Sequence, residues 1–279
     1  MNERQCGIEA FFLPIDPGCR FCLLHQPDVD APRRGAILYV HPFAEEMNKS
    51  RRMAALQARA LADDGWIVLE VDLYGCGDSE GDFAQASWDQ WVADVRDAAA
   101  WLRTETGLAL VLWGLRAGCL VARDAAAAME PAPDLVFWQP STSGRQTLQQ
   151  FLRLRVASQL FSDTGSGRIG TEALRGQLVQ GDAVEVAGYL LPPEVALGLD
   201  ASALTPTSVP VRVAWLEIVP EGTAEFPPAA QAQSRAWQHA GHQVFTSSVV
   251  GPAFWQTQEI AECGDLIAAT RAAVAKWRV

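Results

Sequence analysis

The sequence is short of basic residues and of histidine, and both shortages narrow its possible functions. Its 279 residues include 22 Lys and Arg against 33 Asp and Glu, which gives a net charge of −11. No cluster of Lys and Arg is large enough to follow a phosphate backbone, so binding to nucleic acid or to an anionic membrane is disfavoured. Only four histidines are present, at positions 25, 41, 239 and 242, which leaves few candidates for a general base.

Long apolar runs and a disulfide framework are also lacking. No stretch of roughly 18 apolar residues occurs, and no basic segment followed by an apolar segment opens the chain. We therefore expect a cytoplasmic protein with reduced thiols and no stable membrane insertion. Cys19 and Cys22 have the spacing of a zinc or redox pair, but no second pair accompanies them. We interpret both as ordinary strand residues and predict neither a metal nor a cofactor.

What the sequence does contain is a regular alternation of strand and helix patterns. A Pro/Asp/Gly turn joins segments 8–13 and 19–25 and predicts a β-hairpin. Candidate helix caps are Asn48 and Ser87, each before an apolar stripe with helical spacing. The alternation predicts an α/β fold with a mostly parallel sheet and helices on both faces. The further strands are predicted at 36–43, 66–73, 108–115, 134–138, 209–216 and 242–250.

The alternation is interrupted once, between the fourth and fifth parallel strands. Helical fragments at 147–161 and 171–179, and a third that starts near Pro193, are separated there by Gly and Ser. Their apolar faces need the main body to cover them, so they do not form a second folding unit. We predict one domain over residues 1–279, with a core of 1–140 and 207–279 and a helical lid insertion at about 141–206.

The most informative motif follows the strand at 108–115. It reads Gly114-Leu115-Arg116-Ala117-Gly118 and passes directly into a helix, which predicts a sharp strand-turn-helix connection. Together with His41-Pro42-Phe43 and the Gly-rich loop 72–81, it resembles the α/β-hydrolase family across essentially the whole chain. The implied fold is the α/β-hydrolase fold.

A narrower resemblance comes from segments 41–52, 113–118 and 251–255. Together they resemble the hydrolase-like proteins associated with the exosortase A system, of the type that has Arg in the turn. This resemblance implies a bacterial setting of exopolysaccharide production and sorting of PEP-CTERM proteins.

The resemblance also assigns roles to the turn. In α/β-hydrolases the middle residue of the turn is the nucleophile, and two backbone N–H groups stabilise the oxyanion. Here the nucleophile position holds Arg116, which has no lone pair to donate. The oxyanion-type donors correspond to the amides of Ala117 and Phe43.

The base and acid positions depart from the family pattern as well. The family histidine follows the last strand, where this chain has Phe254 within the turn 251–255. The acid position falls near Val219, with Glu217 and Glu221 close in sequence. Because the nucleophile and the base are both missing, we expect the usual acyl-enzyme chemistry to be absent.

Other side chains near the turn are candidates for catalysis. His41 could act as a general base on water, oriented by Glu45 or Glu46, or it could simply bond backbone in its loop. Cys119 lies one helical turn after Arg116, and Cys76 lies in the Gly-rich loop. A buried thiol without a basic partner is usually inert.

Arg116 itself has two interpretations, which are compatible. A guanidinium at a partly buried turn can form a salt bridge to Glu45, Glu46 or Glu217. It can instead bind a carboxylate or phosphate in bidentate fashion at the start of a helix.

From these residues we predict a protein with a degenerate Ser-His-Asp triad that binds an anionic or acyl small molecule as an accessory factor. The alternative is an active ester or thioester hydrolase or acyltransferase with a non-standard site at His41, Glu45, Glu46 and Arg116. A further alternative is that the chain acts through a protein partner or as a homodimer. The predicted ligand pocket consists of Trp113, Leu115, Arg116, Trp138, Glu217, Phe254 and Trp255.

Overall fold

The apolar runs of the sequence form a large central sheet. The computed structural model describes residues 7–159, 170–222 and 225–277. Its strands are β1 (Gly7–Pro14), β2 (Cys19–Gln26), β3 (Gly35–Val40), β4 (Trp66–Val71), β5 (Leu110–Leu115), β6 (Asp134–Trp138), β7 (Val184–Val186), β8 (Tyr189–Leu191), β9 (Arg212–Val219) and β10 (Gln243–Val250).

Eight strands make up this sheet, in the order β1-β2-β4-β3-β5-β6-β9-β10. From β4 to β10 all neighbours are parallel, whereas β1 pairs antiparallel with β2 and β2 pairs antiparallel with β4. The carboxyl ends of the parallel strands therefore meet along one edge of the sheet. The predicted hairpin and the predicted mostly parallel sheet are both confirmed.

Helices cover both faces of the sheet, as the alternation of patterns predicts. One face packs against α2, α3 and α7 through buried residues such as Trp91, Leu120 and Trp237. The other face packs against α1 and α8 through residues such as Met53 and Leu266. The helices are α1 (Glu45–Asp63), α2 (Trp88–Thr106), α3 (Gly118–Ala126), α4 (Gly144–Gln159), α5 (Thr171–Gln180), α6 (Pro193–Ala201), α7 (Pro228–His239) and α8 (Gly264–Val274).

Of the two predicted helix caps, one is confirmed and one is wrong. The Ser87 hydroxyl accepts a hydrogen bond from the Gln90 amide at 3.1 Å and caps α2. Asn48 does not cap α1, because that helix begins three residues earlier, at Glu45. Glu45 and Glu46 occupy its first turn, where acidic side chains interact favourably with the helix dipole. Asn48 instead donates to the Tyr189 hydroxyl at 3.4 Å.

The boundaries of β9 also differ from the prediction of 209–216. The strand covers Arg212–Val219, three residues later. Pro210 has no amide hydrogen for the ladder, and the Val211 amide donates to the His242 ring at 3.1 Å instead of to a strand. As a result, Glu217 and Val219 lie inside the strand and not in the loop after it.

The segment between β6 and β9 contains α4, α5, β7, β8 and α6. The hairpin of β7 and β8 is not predicted, because its turn is Ala187-Gly188, with φ values of 50° and 84°, in place of the usual Asn-Gly. The predicted helix 147–161 begins earlier, at Gly144, and residues 160–161 lie outside the described residues. Helix α6 packs closely on α2, since a Cβ on Gly198 would lie 2.6 Å from the Trp88 ring.

The Cys19 and Cys22 pair lies on β2, three positions apart. Side chains at that spacing on a strand point to opposite faces of the sheet. The Cys22 thiol is buried and lies 3.6 Å from the Arg20 carbonyl oxygen. This geometry is incompatible with a shared metal ion and supports the interpretation as ordinary strand residues.

Two glycines allow α3 to approach the sheet at the end of β5. A Cβ on Gly114 would lie 2.6 Å from the Cys119 Cα, and a Cβ on Gly118 would collide with the carbonyl oxygens of Val40 and His41. Both neighbours are backbone, which cannot rotate away as a flexible side chain can. The connection between β5 and α3 therefore requires glycine at these positions.

We expect Gly118→Ala to lower the free energy of unfolding by about 1 to 3 kcal/mol, because the added methyl group overpacks the contact between α3 and β3. Gly176→Ala is the matched control: Gly176 lies in α5 with no atom near its missing Cβ, so this change should leave stability equal or raise it by about 0.5 to 1 kcal/mol. Urea denaturation of both variants measures the difference. Equal midpoints for the two variants would contradict this account of the turn.

Candidate ligand-binding cleft

The turn between β5 and α3 holds Arg116 in a strained backbone conformation. Its φ is 54°, in the left-handed region that residues other than glycine rarely adopt. The strain, of about 1 to 3 kcal/mol, is offset by backbone hydrogen bonds. The Arg116 amide donates to the Trp138 carbonyl at 3.0 Å, and the Arg116 carbonyl accepts from the amides of Ser141 and Cys119 at 3.1 Å each. These bonds fix the Arg116 side chain at the carboxyl edge of the sheet.

The Arg116 guanidinium has one carboxylate partner and one aromatic partner. Its Nε donates to Glu46 Oε1 at 3.3 Å, and its central carbon lies 5.6 Å from the centre of the Trp255 ring. The side chain is only 15% exposed. In residues 7–159, 170–222 and 225–277, neither terminal nitrogen has a protein acceptor. Two nitrogens of a largely buried cation are thus left for other ligands.

The salt bridge to Arg116 does not fully compensate the cost of burying the Glu46 carboxylate. Burial raises the pKa of the Glu46 carboxyl, and the nearby Arg116 charge opposes that rise without cancelling it. The carboxylate therefore gains less from Arg116 than it loses by leaving water.

Arg116 lies where two cavities meet. The first, of about 360 Å³, lies between α1 and α4, and we call it the helix lobe. The second, of about 680 Å³, lies at the ends of β9 and β10, and we call it the strand lobe. The residues that line both lobes are Arg116, Gln150, Trp255 and Gln256. The two lobes therefore form one cleft with Arg116 at its junction.

The helix lobe combines apolar and charged side chains. Its charged residues come from α1 and from the turn, and its apolar residues come from α4 and from two loops. A cavity of this size and composition is typical of small-molecule sites, which measure roughly 300 to 1,000 Å³. The further lining residues of the helix lobe are Phe43, Glu45, Glu46, Lys49, Thr147, Phe151 and Leu154.

Of the seven predicted pocket residues, Arg116 and Trp255 line this cleft. Trp113, Leu115, Trp138 and Phe254 are instead buried between the sheet and the layer of α1 and α8. Trp138 donates from its indole to Thr270 Oγ1 at 2.8 Å. The placement of Trp113, Leu115 and Trp138 in the pocket was wrong because side chains of a buried strand point to the faces of the sheet and not to its edge. Phe254, in the turn after β10, packs against Trp138 on one of those faces.

Glu217 is the remaining predicted pocket residue, and it also lies outside the cleft. It is 5% exposed on β9 and accepts a hydrogen bond from the Trp215 indole at 2.7 Å. Burial raises the pKa of its carboxyl to about 7, and the hydrogen bond and the Arg116 charge only partly oppose this. Of the three glutamates predicted as partners of Arg116, only Glu46 forms the salt bridge.

The turn after β10 brings an aromatic ring next to Arg116, in the segment where the resemblance to the family implies a histidine. Trp255 is 4% exposed and stacks on Arg116, whereas Phe254 is fully buried against Trp138. The indole N–H of Trp255 is buried and has no acceptor among the described residues. The residue that faces the turn is therefore Trp255, one position after the predicted one.

His41 makes two hydrogen bonds with backbone. Its Nδ1 donates to the Pro42 carbonyl at 2.6 Å, and its Nε2 accepts from the Leu73 amide at 3.1 Å. Burial lowers the pKa of the ring, which favours the neutral form that this arrangement requires. Neither nitrogen is left for Glu45, Glu46 or a water molecule. The contacts support a structural role for His41.

The two candidate thiols are both buried. Cys119 Sγ lies 3.8 Å from the Trp138 carbonyl oxygen, and burial raises its pKa well above the usual value. Burial also raises the pKa of Cys76, and the nearby charges of Asp72 and Asp94 add to the rise. Neither thiol has the thiolate character that a nucleophile needs.

The oxyanion-type donors stay a prediction, with one supporting observation. The amides of Phe43 and Ala117 have no acceptor within the described part of the chain. Both residues line the same narrow crevice beside the turn.

Residues that the sequence analysis missed come mainly from α4. Thr147, Gln150, Phe151 and Leu154 all line the helix lobe. Their spacing of three and four residues places them on one face of a helix, a signal that the sequence contains. Lys49, on α1, was also missed.

Comparisons with known proteins identify the fold. The sequence model of the serine aminopeptidase S33 family matches residues 31–191. No curated protein sequence matches the chain. In the described ranges, no helix is both long enough and apolar enough to cross a membrane.

Three solved structures are similar over nearly the whole chain. Est1E from Butyrivibrio proteoclasticus, with ferulic acid bound, has a TM-score of 0.69 at 14% identity and covers 96% of this chain and 99% of its own. XC6422 from Xanthomonas campestris, a serine hydrolase without a lid, has a TM-score of 0.58 at 19% identity, covering 97% and 95%. The proline iminopeptidase of Mycobacterium smegmatis has a TM-score of 0.59 at 14% identity, covering 97% and 99%. These similarities confirm the predicted α/β-hydrolase fold.

The raised pKa of Glu217 predicts a pH dependence of stability. A carboxyl with a pKa of 4.5 when unfolded and about 7 when folded favours the folded state in its protonated form. Its contribution is present below pH 4.5 and is lost as the pH rises towards 7. We expect the stability of the wild type, relative to Glu217→Gln, to fall by about 2 kcal/mol between pH 5.5 and pH 8.

Urea denaturation at the two pH values measures this difference. The amide of Glu217→Gln can still accept from the Trp215 indole but cannot ionise. Glu221→Gln, at an exposed site two residues beyond β9, is the control and should follow the wild type at both pH values. A constant difference between the wild type and Glu217→Gln would show that Glu217 does not titrate in this range.

Proposed function

This chain belongs to the serine aminopeptidase S33 family of α/β-hydrolase-fold proteins, and from that premise we propose that it binds a small carboxylate-bearing ligand without hydrolysing it. The observation that carries this proposal is the Arg116 guanidinium, which is largely buried and, among the described residues, donates to a protein acceptor only through Nε. A carboxylate fits the two terminal nitrogens as a bidentate partner. The proposed ligand site is the junction of the helix lobe and the strand lobe.

The groups around the turn support the proposed lack of hydrolysis. The nucleophile position holds a guanidinium, and an indole faces it in place of an imidazole. The alternative function, a hydrolase or acyltransferase that uses His41, Glu45, Glu46 and Arg116, needs a free nitrogen on His41. Both His41 nitrogens are bonded to backbone, so the contacts support binding over turnover.

An apolar arm on the ligand is supported by the lining of the helix lobe. Phe43 and Phe151 stack edge to face with their ring centres 5.0 Å apart, and Leu154 and Trp255 line the same lobe. Burial of an acyl chain or an aryl ring against these side chains is favourable by about 25 cal/mol per Å² of apolar surface. The ligand is thus an acyl or aryl carboxylate.

We further propose that the insertion at about 141–206 acts as a lid within a single domain of residues 1–279. Support comes from α4, which supplies Thr147, Gln150, Phe151 and Leu154 to the lining. The core then consists of 1–140 and 207–279.

We expect Arg116→Gln to weaken the binding of 3-phenylpropanoate, an aryl carboxylate, by at least about tenfold. The reason is that hydrogen bonds to a charged partner contribute roughly 1.5 to 3 kcal/mol. Arg116→Lys keeps the charge but loses the bidentate geometry, and its affinity should lie between those of the wild type and Arg116→Gln. Isothermal titration calorimetry measures all three, with thermal melting to verify folding.

Arg145→Gln is the matched control, because Arg145 lies on α4 outside the cleft and is 64% exposed. It should bind 3-phenylpropanoate like the wild type. Equal affinity of the wild type and Arg116→Gln would overturn the proposal. Turnover of p-nitrophenyl esters by the wild type that disappears in Arg116→Gln would overturn it as well, in favour of the hydrolase alternative.

The resemblance of segments 41–52, 113–118 and 251–255 supports a biological setting for this binding function. We propose an accessory role in bacterial exopolysaccharide production and exosortase A sorting of PEP-CTERM proteins, exercised in the cytoplasm and involving a protein partner or a second copy of the chain. In a strain that lacks the gene, we expect a lower exopolysaccharide yield, restored by the wild-type gene and not by Arg116→Gln. An unchanged yield in the deletion strain, quantified per cell mass, would contradict this setting.

A further inference from the structure

A second charged group in the helix lobe, the Glu45 carboxylate, has no partner in the part of the chain that the structure describes. Glu45 lines this lobe, and its carboxylate accepts no hydrogen bond from any described residue. One of its oxygens, Oε2, is buried, and leaving a buried acceptor unsatisfied is unfavourable. Unsatisfied buried polar groups are few in native structures, and this one belongs to a residue that lines a cavity.

The charges of the helix lobe balance. Its two acidic residues are Glu45 and Glu46, and its two basic residues are Lys49 and Arg116. Because Glu46 is bonded to Arg116 Nε, the charged groups of the lobe without a hydrogen-bond partner among the described residues are the terminal nitrogens of Arg116, the Lys49 ammonium and the carboxylate of Glu45. A ligand that carries only an anion would leave Glu45 unpaired and would be repelled by it.

Glu45 and Arg116 line the same cavity, so one small molecule bound in the helix lobe can contact both. Glu45 directly precedes Glu46 in α1, and Glu46 contacts Arg116 at 3.3 Å. The Glu45 charge is among the causes that raise the pKa of the Glu46 carboxyl. A donor and an acceptor of opposite charge are therefore presented within one lobe of about 360 Å³.

We propose that the ligand is a zwitterion, a free amino acid with a large apolar side chain, and this rests on the carboxylate-binding function proposed above. The ligand carboxylate binds the terminal nitrogens of Arg116, and the ligand ammonium binds the Glu45 carboxylate. The side chain of the ligand packs against Phe151 and Leu154. A ligand of this kind pairs the terminal nitrogens of Arg116 with the Glu45 carboxylate through one molecule, and because it has no net charge it keeps the lobe neutral.

Two probes of the same shape separate the two charges. L-Phenylalanine carries the ammonium, and 3-phenylpropanoate is the same molecule without it. We expect the wild type to bind L-phenylalanine at least about tenfold more tightly than 3-phenylpropanoate, the ratio that one charge-assisted hydrogen bond supplies. In Glu45→Gln the preference should disappear through weaker binding of L-phenylalanine alone.

The matched control is Glu194→Gln, since Glu194 is an exposed glutamate in the first turn of another helix, α6. It should keep the full preference for L-phenylalanine. Glu45→Asp retains a carboxylate on a shorter side chain and should keep part of the preference, which covers the case in which Glu45→Gln fails to fold. Calorimetric titration of all four proteins with both probes gives the ratios, and thermal melting verifies folding.

The outcomes distinguish this inference from the function on which it rests. If 3-phenylpropanoate binds in an Arg116-dependent manner and L-phenylalanine binds no more tightly, the zwitterion proposal is wrong and the carboxylate-binding function stands. The same conclusion follows if Glu45→Gln weakens both probes equally. If neither probe binds the wild type, the carboxylate-binding function fails and the zwitterion proposal fails with it.

Discussion

The rest of the structure depends on the close approach of α3 to the end of β5. Gly114 and Gly118 permit that approach because neither has a Cβ to collide with the neighbouring backbone. The residue between them, Arg116, must then adopt a positive φ, and three backbone hydrogen bonds hold it there. The strained turn directs the Arg116 side chain away from the core and towards the edge where the parallel strands end. Without this turn the guanidinium would have no fixed position and the two lobes would not meet at it.

The parts of the fold that depend on local signals could be predicted from the sequence. Apolar runs bounded by turn residues identified the strands, and the glycines around Arg116 identified the turn. The hairpin of β7 and β8 was missed because Ala187 takes a positive φ without the Asn or Gly that usually signals it. The start of β9 was misplaced because the effect of Pro210 on the ladder depends on where His242 lies in space. Such features are set by tertiary contacts and not by local sequence.

In the candidate site, too, some residues could be predicted from the sequence and others could not. The sequence motif identified Arg116 correctly as the residue at the turn, since that position follows from chain order alone. The motif does not predict which of Glu45, Glu46 and Glu217 is the partner of Arg116. That choice depends on where α1 begins and on the face of the sheet to which the β9 side chains point. The motif also favoured Trp113 and Trp138, which point to a face of the sheet, over Phe151 and Leu154, which reach the cleft from α4. Proximity along the chain to a strand end did not translate into proximity to the cleft.

The balanced charges of the helix lobe have a further consequence for how a ligand arrives. The whole protein carries a net charge of −11, so its long-range field repels anions well before they reach the surface. A molecule without net charge feels no such repulsion and diffuses to the cleft as it would to a neutral protein. Its association rate is then almost independent of ionic strength, whereas that of an anion increases as salt screens the field. The net negative charge of the protein thus lowers the association rate of anions, but not that of molecules without net charge, at a cleft that contains Arg116.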